Sequence, residues 1–162
     1  MKKLIIFLAF LFLIALTFSF KPVFYNVSSL HNTIFSNVSY NIYCLNVSKL
    51  NLNNAKVINN GNGYIVKTDI SSAIYIKQQV SNILGESISF ISNKNAIEKI
   101  IKFYDIEVLS AEIVDGIEIY YGYSSNSNFT QNILIDGNLI NVQIAFKDHF
   151  LTMGTPIILG EY

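Results

Sequence analysis

The stretch IEVLSAEIVDGIEIYYGY, residues 106–123, decides the fold. Two runs rich in β-branched and aromatic residues flank Asp115-Gly116. That dipeptide accepts positive φ at both positions and favours a type I′ turn, whose twist matches that of paired strands. The reading is an antiparallel hairpin, Ile106–Val114 against Ile117–Tyr123. If Val114 faces Ile117, then Glu112 faces Ile119 and Glu118 faces Ile113, so the two glutamates point to opposite faces. A working pair of carboxyls needs a separation of about 5–9.5 Å across a shared site. Glu107, Glu112, Asp115 and Glu118 are therefore read as strand and turn charges.

Downstream, Asp136-Gly137-Asn138 joins Ile133–Ile135 to Leu139–Phe146. There Ile140, Val142, Ile144 and Phe146 alternate with Asn141, Gln143, Ala145 and Lys147, which predicts one buried and one wet face. Residues 124–132, SSNSNFTQN, read as the loop between the hairpins. A last strand is predicted over about Thr155–Leu159, with Pro156 at its start or at a sheet edge because proline has no amide to donate.

Upstream, Asn93 is a candidate N-cap, and Ala96, Ile97, Ile100, Ile101 and Tyr104 follow helical spacing. Ser87–Ile91 reads as a short strand. Asp69 can cap a helix whose apolar stripe runs through Ile70, Ala73, Ile74, Val80, Ile83 and Leu84 to a closing Gly85. Before it, Tyr40–Val47 is a strand, and Ala55–Ile58 and Tyr64–Lys67 flank a hairpin loop, Asn59-Asn60-Gly61-Asn62-Gly63. The order is β-α-β-α-β(4). The fold class is α+β, two helices packed on a mainly antiparallel sheet.

The N-terminus reads MKKLIIFLAFLFLIALTFSF. Lys2 and Lys3 precede an apolar run of seventeen residues, Leu4–Phe20, longer than a usual signal core and at the lower bound for a span. Residues 1–20 are thus a cleaved signal peptide or an N-terminal anchor, 21–39 a Ser/Asn-rich spacer and 40–162 one domain. Both readings of 1–20 put the domain outside the cytoplasm, secreted or at the outer face of the membrane, with membrane contact through residues 4–20 alone. The four sequons, beginning at Asn26, Asn37, Asn46 and Asn128, are expected by chance in an Asn- and Ser-rich chain.

Composition narrows the function. The 162 residues include no Arg, and the eleven basic residues are all Lys. From Lys21 onward nine lysines face eleven acidic groups, an excess of two negative charges. Nucleic-acid binding rests on phosphate neutralisation, and arginine supplies the bidentate fork for phosphate and guanine. Tyr120, Tyr121 and Tyr123 therefore read as sheet packing or an apolar patch for a protein partner, not as base-stacking residues.

Cys44 is the single cysteine, a buried strand residue, which excludes an intramolecular disulfide or a zinc cluster. His31 lies in the spacer. Asp148-His149 reads as a solvated turn, and a small hydrolytic or metal-assisted enzyme using that pair is the alternative function. Neither a nucleophile elbow, a phosphate loop nor a dinucleotide fingerprint occurs. No catalytic, metal or cofactor residue is expected.

At the C-terminus, Asn141-Val142-Gln143-Ile144-Ala145-Phe146, then Gly154-Thr155-Pro156-Ile157-Ile158-Leu159-Gly160-Glu161-Tyr162, resembles the YwmB-like family of Gram-positive bacteria. The order of elements over 69–162 resembles it too, and the unit 87–159 is similar to half of a TATA-box-binding-protein-like fold. The resemblance implies that fold, whole or as a shortened two-fold version. It implies no activity, because the family has none established. DNA binding by fold analogy is disfavoured by charge and location. The expected role is non-enzymatic, binding or structural, at the bacterial cell envelope, toward an unknown envelope protein or ligand and not nucleic acid. Gly154, Thr155, Pro156, Glu161 and Tyr162 are its motif residues of unknown role, with Thr155, Glu161 and Tyr162 first for mutation.

Overall fold

The computed structural model describes residues 7–8, 23–24, 36–48 and 54–159. Strands β1 (Ser36–Val47), β2 (Ala55–Asn59) and β3 (Tyr64–Thr68) precede helix α1 (Ile70–Lys77). Strand β4 (Val80–Ile91), helix α2 (Asn95–Phe103), β5 (Ile106–Val114) and β6 (Ile117–Ser124) follow. The hairpin β7 (Ile133–Ile135) and β8 (Asn138–Ile140) then leads to β9 (Val142–Lys147) and β10 (Phe150–Thr155). Eight strands form one antiparallel sheet in the order β2-β3-β1-β4-β10-β9-β6-β5. The α+β class and the mainly antiparallel sheet under two helices are as expected, and the strand at Tyr40–Val47 and the hairpin around residues 59–63 give three strands before the first helix, where the order β-α-β-α-β(4) counts one.

The register explains the layering. Thr68, Tyr40, Ile88, Met153, Ile144, Tyr120 and Ala111 are successive cross-strand partners, one row across seven strands. Because side chains alternate with period two, that row and its neighbours two residues along share one face. Onto this face pack Ala73 and Ile76 of α1 and Ala96, Ile97 and Ile100 of α2, all in one core with Tyr40, Ile42, Ile88, Phe90, Leu151 and Met153. Asp69 caps α1 as expected, its carboxylate accepting from the Ser72 amide at 2.8 Å. The turn at Asp115-Gly116 has φ of 50° and 78°, and the register Val114↔Ile117, Ile113↔Glu118, Glu112↔Ile119 is the expected one.

Several details differ from the sequence reading. Helix α1 stops at Lys77, and Val80, Ile83 and Leu84 belong to β4, which pairs with β1 from Val80↔Val47 onward. A β-bulge hid this strand. The register steps from Tyr43↔Gly85 to Cys44↔Ile83, leaving Leu84 as the extra residue, and Asn82 sits at φ 54°. The period-two signal is broken there, and three apolar residues fall by chance on a helical stripe. Helix α2 is capped at Lys94 without a side-chain bond, while Asn93 contributes its carbonyl to the Ala96 amide.

The strand expected over Leu139–Phe146 is interrupted at Asn141. Its buried amide accepts from the Ser124 amide and donates to the Ser124 carbonyl, both at 2.8 Å. Asn141, Gln143 and Ala145 are as buried as their apolar neighbours, so the alternation marks no wet face. Part of the reason is the C-terminal segment. The Ile158 amide donates to Gln143 Oε1 at 2.8 Å, and Gly154 packs its bare Cα against the Ile157–Ile158 backbone. The final strand is β10, Phe150–Thr155, and it ends where the sequence placed its start. Pro156 follows it across a cis peptide bond.

The segment read as a spacer reaches the core. Phe24 is fully buried and meets Tyr40, Tyr104 and Phe129 with ring centroids 5.9–6.3 Å apart. Tyr104 and Phe129 also contact each other edge to face at 5.3 Å.

Candidate functional site

The helix-covered face carries one acidic residue in its interior. In the row Val66, Ile42, Glu86, Thr155, the alternation that makes Val66 and Ile42 core residues puts Glu86 among them. Glu86 is 3% exposed. A carboxylate in such a place requires partners, and three elements supply them. Lys77, the last residue of α1, donates from Nζ to Oε1 at 2.5 Å. Tyr40 of β1 donates its hydroxyl to Oε2, and the Val23 amide donates to the same oxygen at 3.2 Å. Burial, then the charge of Glu86 and the bond to it, hold the Tyr40 hydroxyl far above its ordinary pKa, so it stays a donor.

Over this pair opens a cleft of about 500 Å³. Lys77, Glu86 and Thr155 form part of it, Val23 and Ile83 give it apolar surface, and Ser127, Asn128, Thr130 and Gln131 bring hydroxyls and amides. The loop holding these last four is fastened at both ends. Gln131 donates from Nε2 to the Ile83 carbonyl at 2.7 Å, and Ser124 donates to the Tyr104 carbonyl at 2.5 Å. Phe129, buried in the aromatic cluster, holds its middle.

Thr155 stands directly across the β4–β10 ladder from Glu86. It is 4% exposed, and its hydroxyl finds no hydrogen-bond partner among the described residues. A buried unpartnered hydroxyl is uncommon and calls for an explanation. Thr155 is also one of the residues that line the cleft.

The other sequence candidates do not meet here. Asp148 and His149 are the two positive-φ residues of the β9–β10 turn, exposed, at the opposite end of β10 from Thr155. Glu112 and Glu118 do face opposite sides. Glu112 accepts from the Tyr121 hydroxyl and Glu118 from Lys94 and Tyr120. Those bonds hold the Glu118 carboxyl below its ordinary range, the bond from Lys94 contributing most. Tyr120 and Tyr121 are thus engaged at their hydroxyls. Cys44 is buried in the core, and burial pushes its thiol up. Among the described residues, no three His, Cys, Asp or Glu side chains are grouped to hold a metal ion. Also among them, no helix is long and apolar enough to cross a membrane.

Of the C-terminal motif, Gly154, Thr155 and Pro156 are described and buried. Gly154 serves the fold, Thr155 lines the cleft and Pro156 packs beside Gly85. Glu161, Tyr162 and His31 lie outside the described residues. Lys77, Glu86, Asn128 and Gln131 were missed as site residues. The one available signal was Glu86 within an otherwise apolar and small strand, Leu84–Ile91. Compared with known protein families, curated proteins and solved structures, the chain matches none.

Proposed function

We propose that this protein is an extracytoplasmic, non-enzymatic binding domain of a bacterial cell envelope, and that the cleft over Lys77 and Glu86 is where it binds. The observation that carries the reading is Thr155. It belongs to the C-terminal motif that resembles the YwmB-like family, it lines the cleft, and its buried hydroxyl meets no partner among the described residues. The position outside the cytoplasm rests on Lys2, Lys3 and the apolar run Leu4–Phe20. That run ends three residues before Val23, which touches Glu86, so the chain between them spans at most about 10 Å. With the anchor retained, the cleft lies at the membrane surface.

The TATA-box-binding-protein-like half is part of the same proposal. It is supported by β4, α2, β5, β6, β9 and β10, which form a contiguous sheet segment in the order β4-β10-β9-β6-β5 beside one helix. A binding role, not catalysis, is favoured by chemistry. Among the described residues, the charged ones lining the cleft are Lys77 and Glu86, and each neutralises the other.

The test is recovery of envelope material on the detergent-solubilised full chain, together with protease treatment of protoplasts. Retention of an envelope component by wild type and its loss with Thr155→Val, with the domain cleaved from outside, is the expected result. A protease-protected domain, or equal retention by both proteins, overturns the proposal.

A further inference from the structure

Resting on that reading, we infer that the cleft accepts an uncharged sugar bearing hydroxyl and acetamido groups. The first argument is charge. Lys77 and Glu86 sit 2.5 Å apart with side chains 8% and 5% exposed, so the charges that the described residues bring to the cleft cancel. An anionic ligand would have to draw Lys77 from Glu86, and a cationic one would have to displace it. Either leaves a buried charge uncompensated, which is costly. An uncharged ligand leaves the pair intact.

The second argument is the kind of polar group on offer. Ser127, Thr130 and Thr155 carry hydroxyls, and Asn128 and Gln131 carry amides, side chains that donate and accept from the same few atoms. That matches ring hydroxyls, each a donor and an acceptor, and the amide of an acetamido group. Thr155 offers one such bond to a group that reaches its buried hydroxyl, which meets no partner among the described residues. The third argument is the apolar surface. Val23 and Ile83 are small aliphatic contacts, suited to a pyranose face or an acetyl methyl. The volume, about 500 Å³, falls within the range of small-molecule sites.

The experiment is calorimetric and NMR titration of the full chain in detergent with four probes: triacetylchitotriose, its deacetylated cationic form, trigalacturonic acid and acetyl-trialanine amide. The acetylated trimer is expected to bind with a Kd on the order of 1 mM, and the two charged trimers and the peptide roughly tenfold or more weaker. Thr155→Val is expected to weaken the acetylated trimer roughly threefold to tenfold, the worth of one neutral hydrogen bond. It should leave the unfolding midpoint unchanged or raised, because it removes a buried hydroxyl without a partner. Asn128→Ala provides a second, independent loss of affinity. Equal or tighter binding of a charged trimer or of the peptide overturns the ligand class, as does no binding of the acetylated trimer. The envelope-binding role is then judged by the recovery experiment alone, so the two failures remain distinct.

Discussion

Replacing Lys77 by Met tests whether the Lys77–Glu86 pair is as buried and as interdependent as it looks. The variant removes the cation and leaves the Glu86 carboxylate with the Tyr40 hydroxyl and the Val23 amide. Breaking a buried pair from one side costs about 3–5 kcal/mol, because a buried charge is left uncompensated. Two remaining donors put Lys77→Met at the lower end, about 3 kcal/mol. For a domain of about 140 residues that lowers the thermal midpoint by roughly 10 °C. Converting Glu86 to Gln in the same chain removes both charges and keeps the shape. The double variant should return to within about 1 kcal/mol of wild type, as replaced buried pairs do. The coupling between the two sites is then about 2 kcal/mol or more. Urea unfolding with linear extrapolation measures all four proteins of the cycle. A loss below about 0.5 kcal/mol for Lys77→Met, or a double variant as unstable as the sum of the singles, refutes the reasoning.

Three other outcomes follow from the fold. Phe24→Ala should cost about 3–5 kcal/mol in urea unfolding, since Phe24 is fully buried against three aromatic rings; a change near zero would return residues 21–35 to a spacer. Asp69 is held at about 2 by bonds from Ser71 and Ser72, so its contribution exists above its ordinary 3.8 and is lost as pH falls from about 4 toward 2. Asp69→Ala, at this exposed cap, should cost about 0.5–1 kcal/mol at pH 7 and clearly less at pH 2, where the carboxyl is about half protonated, as read by thermal unfolding at both pH values. Gly154→Ala puts a Cβ 2.7 Å from the Ile158 nitrogen, so it should cost about 1–3 kcal/mol and open the segment after Thr155 to limited proteolysis.

The hairpins around Asp115-Gly116 and Asp136-Gly137 and the cap at Asp69 were legible because each is a local rule. A turn needs positive φ, and a helix start needs an acceptor. What was not legible is set by distant partners. Val80–Leu84 carry no period-two pattern because of the bulge at Leu84, and their strand exists because β1 lies beside it. Gln143 reads as a solvent residue until the Ile158 amide, fifteen positions away, reaches its side chain. The cleft was hidden for the same reason. Its components come from residue 23, the end of α1, β4, the 127–131 loop and the end of β10, and no spacing in the chain joins them. Thr155 was found through the C-terminal motif, but its neighbour Glu86 could be placed only through the strand register.

The most direct measurement is the pattern of backbone amide shifts in the ¹⁵N-labelled full chain on titration with triacetylchitotriose. The expected result is saturable shifts concentrated at Asn128, Gln131, Glu86 and Thr155, with Thr155→Val needing roughly threefold to tenfold more ligand to reach the same shifts. Shifts confined to the far face around Tyr121 and Lys147, or no shifts at all, would contradict the assignment of the cleft as the binding site.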